Sequence, residues 1–277
     1  HLLASGTDCP DLNPSVWETL RGYFQGDYPC LGAVLFISLI PRMKRYYDKM
    51  GIGSDVLKAT LYDLAIWMRD YRRKHGHWGV EQIGWLMLHP AGYLFRLGRL
   101  QFVPGVCPWN VRLYTNGNKA QMLCGDGEKY QANGQANGAN GIFDSAAWTA
   151  KVTEDESTVT GFPITPLGIA EQRTLTLDKQ QWRLACAQGM PVVEIHIPED
   201  GKLDMEECGK SFQMAVEFFQ RHFPEYCGVF QLCTWFLDAQ LDGILPPASN
   251  IVQFQRQFYQ FPIASSDEDT LARVFGT

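Results

Sequence analysis

Glu194 and His196 stand two residues apart in "VVEIHIP" (192–198), a run that is otherwise apolar. Side chains alternate across a strand, so a strand here puts both on one face. A carboxylate that partial burial pushes toward neutrality and an imidazole that titrates near neutrality are the two commonest proton-transfer groups. Either is suited to act as a base, directly or through water. An equally ordinary reading is a face that meets polar neighbours or solvent.

The stretch that follows holds Gly209-Lys210-Ser211, the tail of a phosphate loop. The full motif needs a glycine five residues before Gly209, and that position holds Asp204. Asp204 instead reads as a helix N-cap, and Glu207 three residues on completes a capping box. Phe212, Ala215, Val216 and Phe219 then follow at helical spacing. Gly209 to Ser211 lie inside this helix, where their amides are already bonded and cannot cradle a phosphate. A helix N-terminus behind "PEDGKL" still offers amides to an anion, with Lys202 to help and Asp204, Glu206 and Glu207 to oppose. A loop capped by its own aspartate is the plainer reading.

Other residues draw less weight. His75 and His77 lack a third ligand at metal spacing, so a helix stop with Trp78 as an anchor is expected and no metal site. Arg96 and Arg99 are suited to an anion, or to a surface strand.

The elements that must carry these residues come from a 277-residue chain with 45% hydrophobic and 19% charged residues. That is enough for one large domain or two ordinary ones, with a sizeable core. The net charge of −6 argues against a general nucleic-acid binder. The eight cysteines form no Cys-x-x-Cys pair. Free thiols and a cytoplasmic setting are expected. No run reaches membrane-spanning length and no secretory leader is evident, so no membrane partner is expected.

The first third reads as helical: 13–26, then 30–50 stopped by Gly51, then 54–75 stopped by Gly76. In the last, Val56, Leu57, Thr60, Leu61, Leu64, Ala65, Met68 and Tyr71 share a face. A weaker helix, 79–89, ends at Pro90. "YLFRLGRLQFVPG" and "VRLYTNG" read as two strands, and the Gln-Ala-Asn-Gly repeats within 124–145 as a flexible linker. Beyond it the pattern predicts a short strand with turns over "STVTGFPITPLG" (157–168), a helix over 174–189, the strand at 192–197, a helix from Asp204, a strand over 228–237, a helix over 249–259 and a last strand at "QFPIA". The expected divisions are 1–123, 124–145 and 146–277. The fold class is α+β: a helical N-terminal domain, then a mixed α/β domain with alternating helices and strands.

"VVEIHIPEDGKL", "SFQMAVEFFQRHFPE", "LCTWFLDAQLDGILPPASNIVQFQRQFYQFPI", "TVTGFPITPLG" and "TLTLDKQQWRL" resemble the second domain of a two-domain bacterial acyltransferase family. "WMRDYRRKHGHWGVEQIGWLMLHPAGYLFRLGRLQF" resembles the end of its first domain. The family pairs a helical N-acyltransferase N-terminal domain with a GNAT-like one, and the resemblance covers nearly the whole chain. It implies acyl-CoA, with acetyl-CoA as the first expectation, lying between two splayed strands, "VVEIHIP" and "VFQLCTWF". Ile195, Ile197, Gly201, Lys202 and, after the second strand, Asn250 are then the CoA-contacting residues. The usual pyrophosphate signature is degraded to "EECGKS" (206–211), with Glu206 where Gln or Arg belongs.

By the same resemblance the reaction is transfer of an acyl group to a small amine or peptide acceptor. Amine acylation needs a base, for which Glu194 and His196 stand, and an acid for the leaving thiolate. Cys233 and Tyr259 are the candidate acids, although each is equally at home in a core. The rival reading is a non-catalytic GNAT-like module that binds a ligand or partner.

Overall fold

The structure, a computed structural model, describes residues 28–226, 228–238 and 241–266. The helix expected over 13–26 lies outside them. The chain forms two compact units, each made of two chain segments. The first runs to Pro104 and resumes over Glu194–Pro224; the second takes Gly105–Val193 and the chain from Glu225.

In the first unit, α1 (Tyr28–Met50) and α2 (Ser54–His75) are joined by a short turn at Gly51, whose φ is positive. Gly76 ends α2 in the left-handed conformation, its amide returning to the Arg72 carbonyl. Ala33, Phe36, Leu64, Val80, Ile83, Leu86 and Met87 make the shared core. The weak helix expected over 79–89 shrinks to α3 (Ile83–Leu86), followed by turns up to Gly92. "YLFRLGRLQFVPG" is not one strand but a tight hairpin of β1 (Phe95–Leu97) and β2 (Leu100–Val106), because Gly98 takes a φ of 68° between them. Pro104 and Gly105, which close that stretch, lie inside β2.

The helix from Asp204 is present as α4 (Met205–His222), and Asp204 accepts the Glu207 amide at 3.0 Å. Only that half of the capping box forms, because the Glu207 carboxylate is taken by Lys210 at 2.8 Å. The buried face is Cys208, Ser211, Ala215, Phe218 and Phe219, so Val216 is turned out of it, while Phe212 stays half-buried against Phe102. Phe218 and Phe223 stack on Phe95 at 4.8 and 5.3 Å between ring centroids, which fixes that rotation.

The second unit is mainly antiparallel sheet, not the helix–strand alternation expected. β3 (Val111–Asn116) and β4 (Lys119–Cys124) form a hairpin that lies between β9 (Pro163–Ile164) and β11 (Arg183–Ala187). β7 (Thr153–Glu154), β8 (Thr158–Gly161) and β10 (Leu175–Asp178) form a second sheet, and β5 (Lys129–Tyr130) pairs with β6 (Trp148–Thr149). The helix expected over 174–189 is therefore absent. Its apolar residues alternate on either side of a turn at Asp178, whose carboxylate takes the Gln180 amide. β10 and β11 go to different sheets.

The Gln-Ala-Asn-Gly stretch folds back on itself in hydrogen-bonded turns, including Gln131 N–H to the Gln135 carbonyl and Asn137 N–H to that of Lys129. β12 (Pro191–His196) is where expected. It donates a bond from the Val193 N–H to the Val229 carbonyl, just before the next strand. The strand expected over 228–237 is only β13 (Phe230–Gln231); Thr234 then caps a 3₁₀ turn at Trp235–Leu237. A short helical turn, α5 (Leu241–Ile244), precedes α6 (Asn250–Gln255), the shortened form of the helix expected over 249–259. "QFPIA" contributes one bridge, Gln260 with Leu167.

Candidate active site

The β12 pattern puts Val192, Val193 and Ile195 in the core and leaves Glu194 and His196 half-buried. The two candidate bases share a face, with His196 Nε2 4.0 Å from Glu194 Oε2. Desolvation raises the Glu194 carboxyl above its usual range. Desolvation also lowers the His196 imidazolium, to about 4, against the pull of the Asp63 carboxylate. His196 is thus neutral at physiological pH and free to accept a proton.

Behind His196 lies a polar network that the sequence reading missed. The Trp85 ring packs edge-on against His196, with centroids 4.5 Å apart and planes at 67°. The Trp85 indole N–H donates to Asp63 Oδ2 at 2.8 Å. His89 Nε2 approaches the same oxygen at 3.1 Å, close enough for an ion pair but out of line for a hydrogen bond. His89 Nδ1 faces the Leu86 carbonyl at 2.9 Å. Asp63 is 2% exposed and His89 fully buried. Burial drives the Asp63 carboxyl up, but His89, Trp85 and Gln101 together more than reverse this, and it stays ionised. The one sequence signal was an aspartate three residues beyond Thr60, beside the apolar face of α2.

The loop after β12 is braced from the β1–β2 hairpin. Arg96 holds Asp200 with two bonds, at 2.8 and 3.1 Å. Arg99 donates to the Gly201 and Lys202 carbonyls, both at 2.9 Å. Ser211 Oγ accepts the Arg99 amide at 2.7 Å and returns its proton to the Glu207 carbonyl. A side chain on Gly98 would meet Ser211 Oγ at 2.7 Å, so the hairpin turn can approach α4 only through a glycine. Arg73 adds a bond to Glu199 at 2.9 Å. Of the two arginines considered for an anionic substrate, Arg96 is taken up by Asp200, while Arg99 holds the loop through Nε and Nη2 and keeps a buried Nη1 without a hydrogen-bond partner. Gly201 has a φ of 115°, which suits glycine. Lys202 keeps an exposed side chain with no ion-pair partner among the described residues.

The other expected residues fall differently. Ile195 is 1% exposed, so only its backbone is available to a ligand, while Ile197 is half-buried beyond the strand end. Cys233, Tyr259 and Asn250 belong to the second unit, Glu194 and His196 to the first. Cys233 is exposed. The Tyr259 hydroxyl donates to the Ile164 carbonyl and accepts from Gln121, and desolvation raises its pKa; its proton is committed to the sheet. Asn250 opens α6 and uses Oδ1 to accept the Ile251 amide. Gly209 is mid-helix with open space around it, as the capping argument requires. Among the described residues no three His, Cys, Asp or Glu side chains are grouped to hold a metal. No described helix is long and apolar enough to cross a membrane.

The sequence profile of the GNAT-like C-terminal domain matches residues 94–277, and that of the N-acyltransferase N-terminal domain matches 7–92. The chain belongs to this family. None of the curated proteins matches it. Among solved structures it resembles an acyltransferase in complex with decanoyl-CoA and teicoplanin, at 22% identity and a TM-score of 0.57 over 92% of this chain and 57% of that one. It also resembles an acyltransferase in complex with decanoyl-CoA, at 21% identity and a TM-score of 0.55 over 100% and 70% of the two chains. A third, in complex with CoA and 10C-teicoplanin, is 20% identical with a TM-score of 0.57 over 100% and 71%. The chain spans 57% of the length of the first of these proteins. At these identities the likeness establishes the GNAT-like fold, reached here through a helical first segment.

Proposed function

We propose that the protein is an acyl-CoA-dependent N-acyltransferase acting on an amine-bearing acceptor, a small amine or a peptide. The observation that carries this reading is the pair on β12: a neutral, half-buried imidazole with a carboxylate 4.0 Å from it. In this reading the acceptor nitrogen attacks the thioester carbonyl and acquires positive charge as the carbonyl oxygen becomes an oxyanion. That nitrogen is far more acidic than a free ammonium, so an imidazole of depressed basicity can take its proton. The Glu194 carboxylate then faces the imidazolium. When the intermediate collapses, the C–S bond breaks, the amide forms, and the departing thiolate takes the proton back from His196, directly or through water. Cys233 and Tyr259 are not needed as acids.

The loop 198–203 is the proposed seat of the CoA pyrophosphate. Its support is the braced backbone, the conformation of Gly201 and the unpaired Lys202 at the start of α4. Similar structures hold decanoyl-CoA, octanoyl-CoA and CoA, which favours a medium chain over the acetyl group as the first donor to try. A cytoplasmic setting belongs to the same reading, supported by the free thiols of the described cysteines. One observation favours the rival reading of a non-catalytic binding module. Asp204, Glu206 and Glu207 crowd the helix start where phosphates would sit, and Lys210 is taken up by two of them.

Thermal shift with acetyl-, octanoyl- and decanoyl-CoA, followed by thiol release on adding amines, separates the readings. A donor that stabilises the protein and releases CoA only with an amine supports the enzyme. Stabilisation without amine-dependent release favours the binding module, and no stabilisation by any donor overturns the proposal.

A further inference from the structure

We propose that Asp63, acting through Trp85, is the positioning and counter-charge residue for His196. The inference rests on the reading of His196 as the base. Three observations carry it. Asp63 is a buried carboxylate on α2 that keeps its charge there only through His89 and the Trp85 indole, and a carboxylate is costly to bury without such partners. Its Oδ2 receives the Trp85 indole N–H at 2.8 Å, which fixes the plane of the ring. That ring lies 4.5 Å from His196, so carboxylate and imidazole are separated by one indole.

An imidazolium formed on His196 would face an aromatic ring whose N–H is already bound to an anion. The carboxylate behind the ring favours the cation. The geometry supplies what a desolvated base lacks. Burial alone makes His196 a poor proton acceptor, and Asp63 opposes that depression without itself touching substrate. The charged and titratable groups facing His196 are Glu194 from its own strand and Asp63 from α2. His89 stands on the far side of Asp63 and helps keep it ionised.

The sign of one measurement separates this role from a merely structural one. Asp63→Asn keeps an acceptor for the indole but removes the charge. The titration midpoint of the His196 ring, followed by NMR, is expected to fall by about one pH unit, about a tenfold loss of proton affinity. Turnover should drop with acyl-CoA affinity unchanged. If Asp63 only packs the site, its loss admits water and the midpoint rises toward the ordinary histidine value. A rise, or no change, overturns the proposal.

Should Asp63→Asn fail to fold, Trp85→Phe keeps a ring against His196 and loses only the tie to Asp63. Turnover reduced roughly 3- to 30-fold at constant acyl-CoA affinity is then expected, and parent turnover with an unshifted His196 resonance overturns the proposal. The titration needs no turnover. If His196→Gln proves fully active, the reading of His196 as base falls, while the midpoint still decides whether Asp63 governs that imidazole.

Discussion

The first unit carries its candidate chemistry on β12, backed by side chains from α2 and the turns before β1. The second unit carries Asn250 at the start of a six-residue helix, with Cys233 and Tyr259 in the loops that follow β13 and that helix. In the first, ionisable groups are buried in contact with one another: Asp63 with His89 and Trp85, Glu194 beside His196. In the second, Tyr259 and Asn250 bond to nearby backbone, which an ordinary sheet or helix end uses for its own satisfaction. Residue types alike on paper therefore differ in what their surroundings leave them free to do. Buried, mutually coupled groups point to chemistry, and groups spent on backbone point to architecture.

The largest effect that can sharpen this contrast is on stability. Asp63→Ala leaves the Trp85 indole N–H and His89 Nε2 without their shared buried partner and is expected to cost about 2–4 kcal/mol in denaturant unfolding. Tyr259→Phe, which removes one hydroxyl bonded to a carbonyl, is expected to cost about 1 kcal/mol. Equal costs would dissolve the distinction between the units. Next comes the loop brace. Arg96→Ala breaks two charge-assisted bonds to Asp200 and should cost about 2 kcal/mol, with faster hydrogen exchange over 198–203. Exchange unchanged there would show that Arg99 alone holds the loop.

These expectations rest on contacts of very different visibility in the sequence. β12 and α4 were legible because alternation in "VVEIHIP" and the Asp204 cap are local signals. The buried face of α4 was displaced by about one residue, since the Phe95 stack that selects Phe218 and Phe223 lies on another element. The supposed helix over 174–189 misled because Leu175, Leu177, Leu184 and Cys186 alternate on two strands, with a polar turn between them. The Asp63–His89–Trp85 network could not be read at all. A single aspartate on an amphipathic helix looks like a solvent-facing residue until its partners from a separate turn are in place.

A smaller effect is expected from acid. All six histidines precede residue 105 or lie in 194–224, so none belongs to the second unit. Desolvation depresses His196, and also His222. The unfolded chain protonates these two histidines before the folded one does between the ordinary histidine value and about 4, so their contribution to stability falls as pH drops through that window, partly offset by the raised Glu194 carboxyl. Hydrogen exchange resolved by peptide should rise first in the first unit between pH 6.5 and 4; a second unit that loosens first would contradict this assignment. The smallest effects concern the CoA loop. Lys202→Glu should weaken acyl-CoA binding by charge reversal, whereas Gly209→Ala, mid-helix with open space around it, should leave it unchanged in calorimetry. The reverse ranking would return the phosphates to "EECGKS".

The central claim is that His196 takes a proton in acyl transfer, and single-turnover kinetics of His196→Gln test it most directly. With an acyl-CoA and amine pair that the parent turns over, the variant should bind the donor with the parent Kd and form amide about 100-fold more slowly or worse. Amide formation by His196→Gln at the parent rate, with donor bound equally well, would contradict the account.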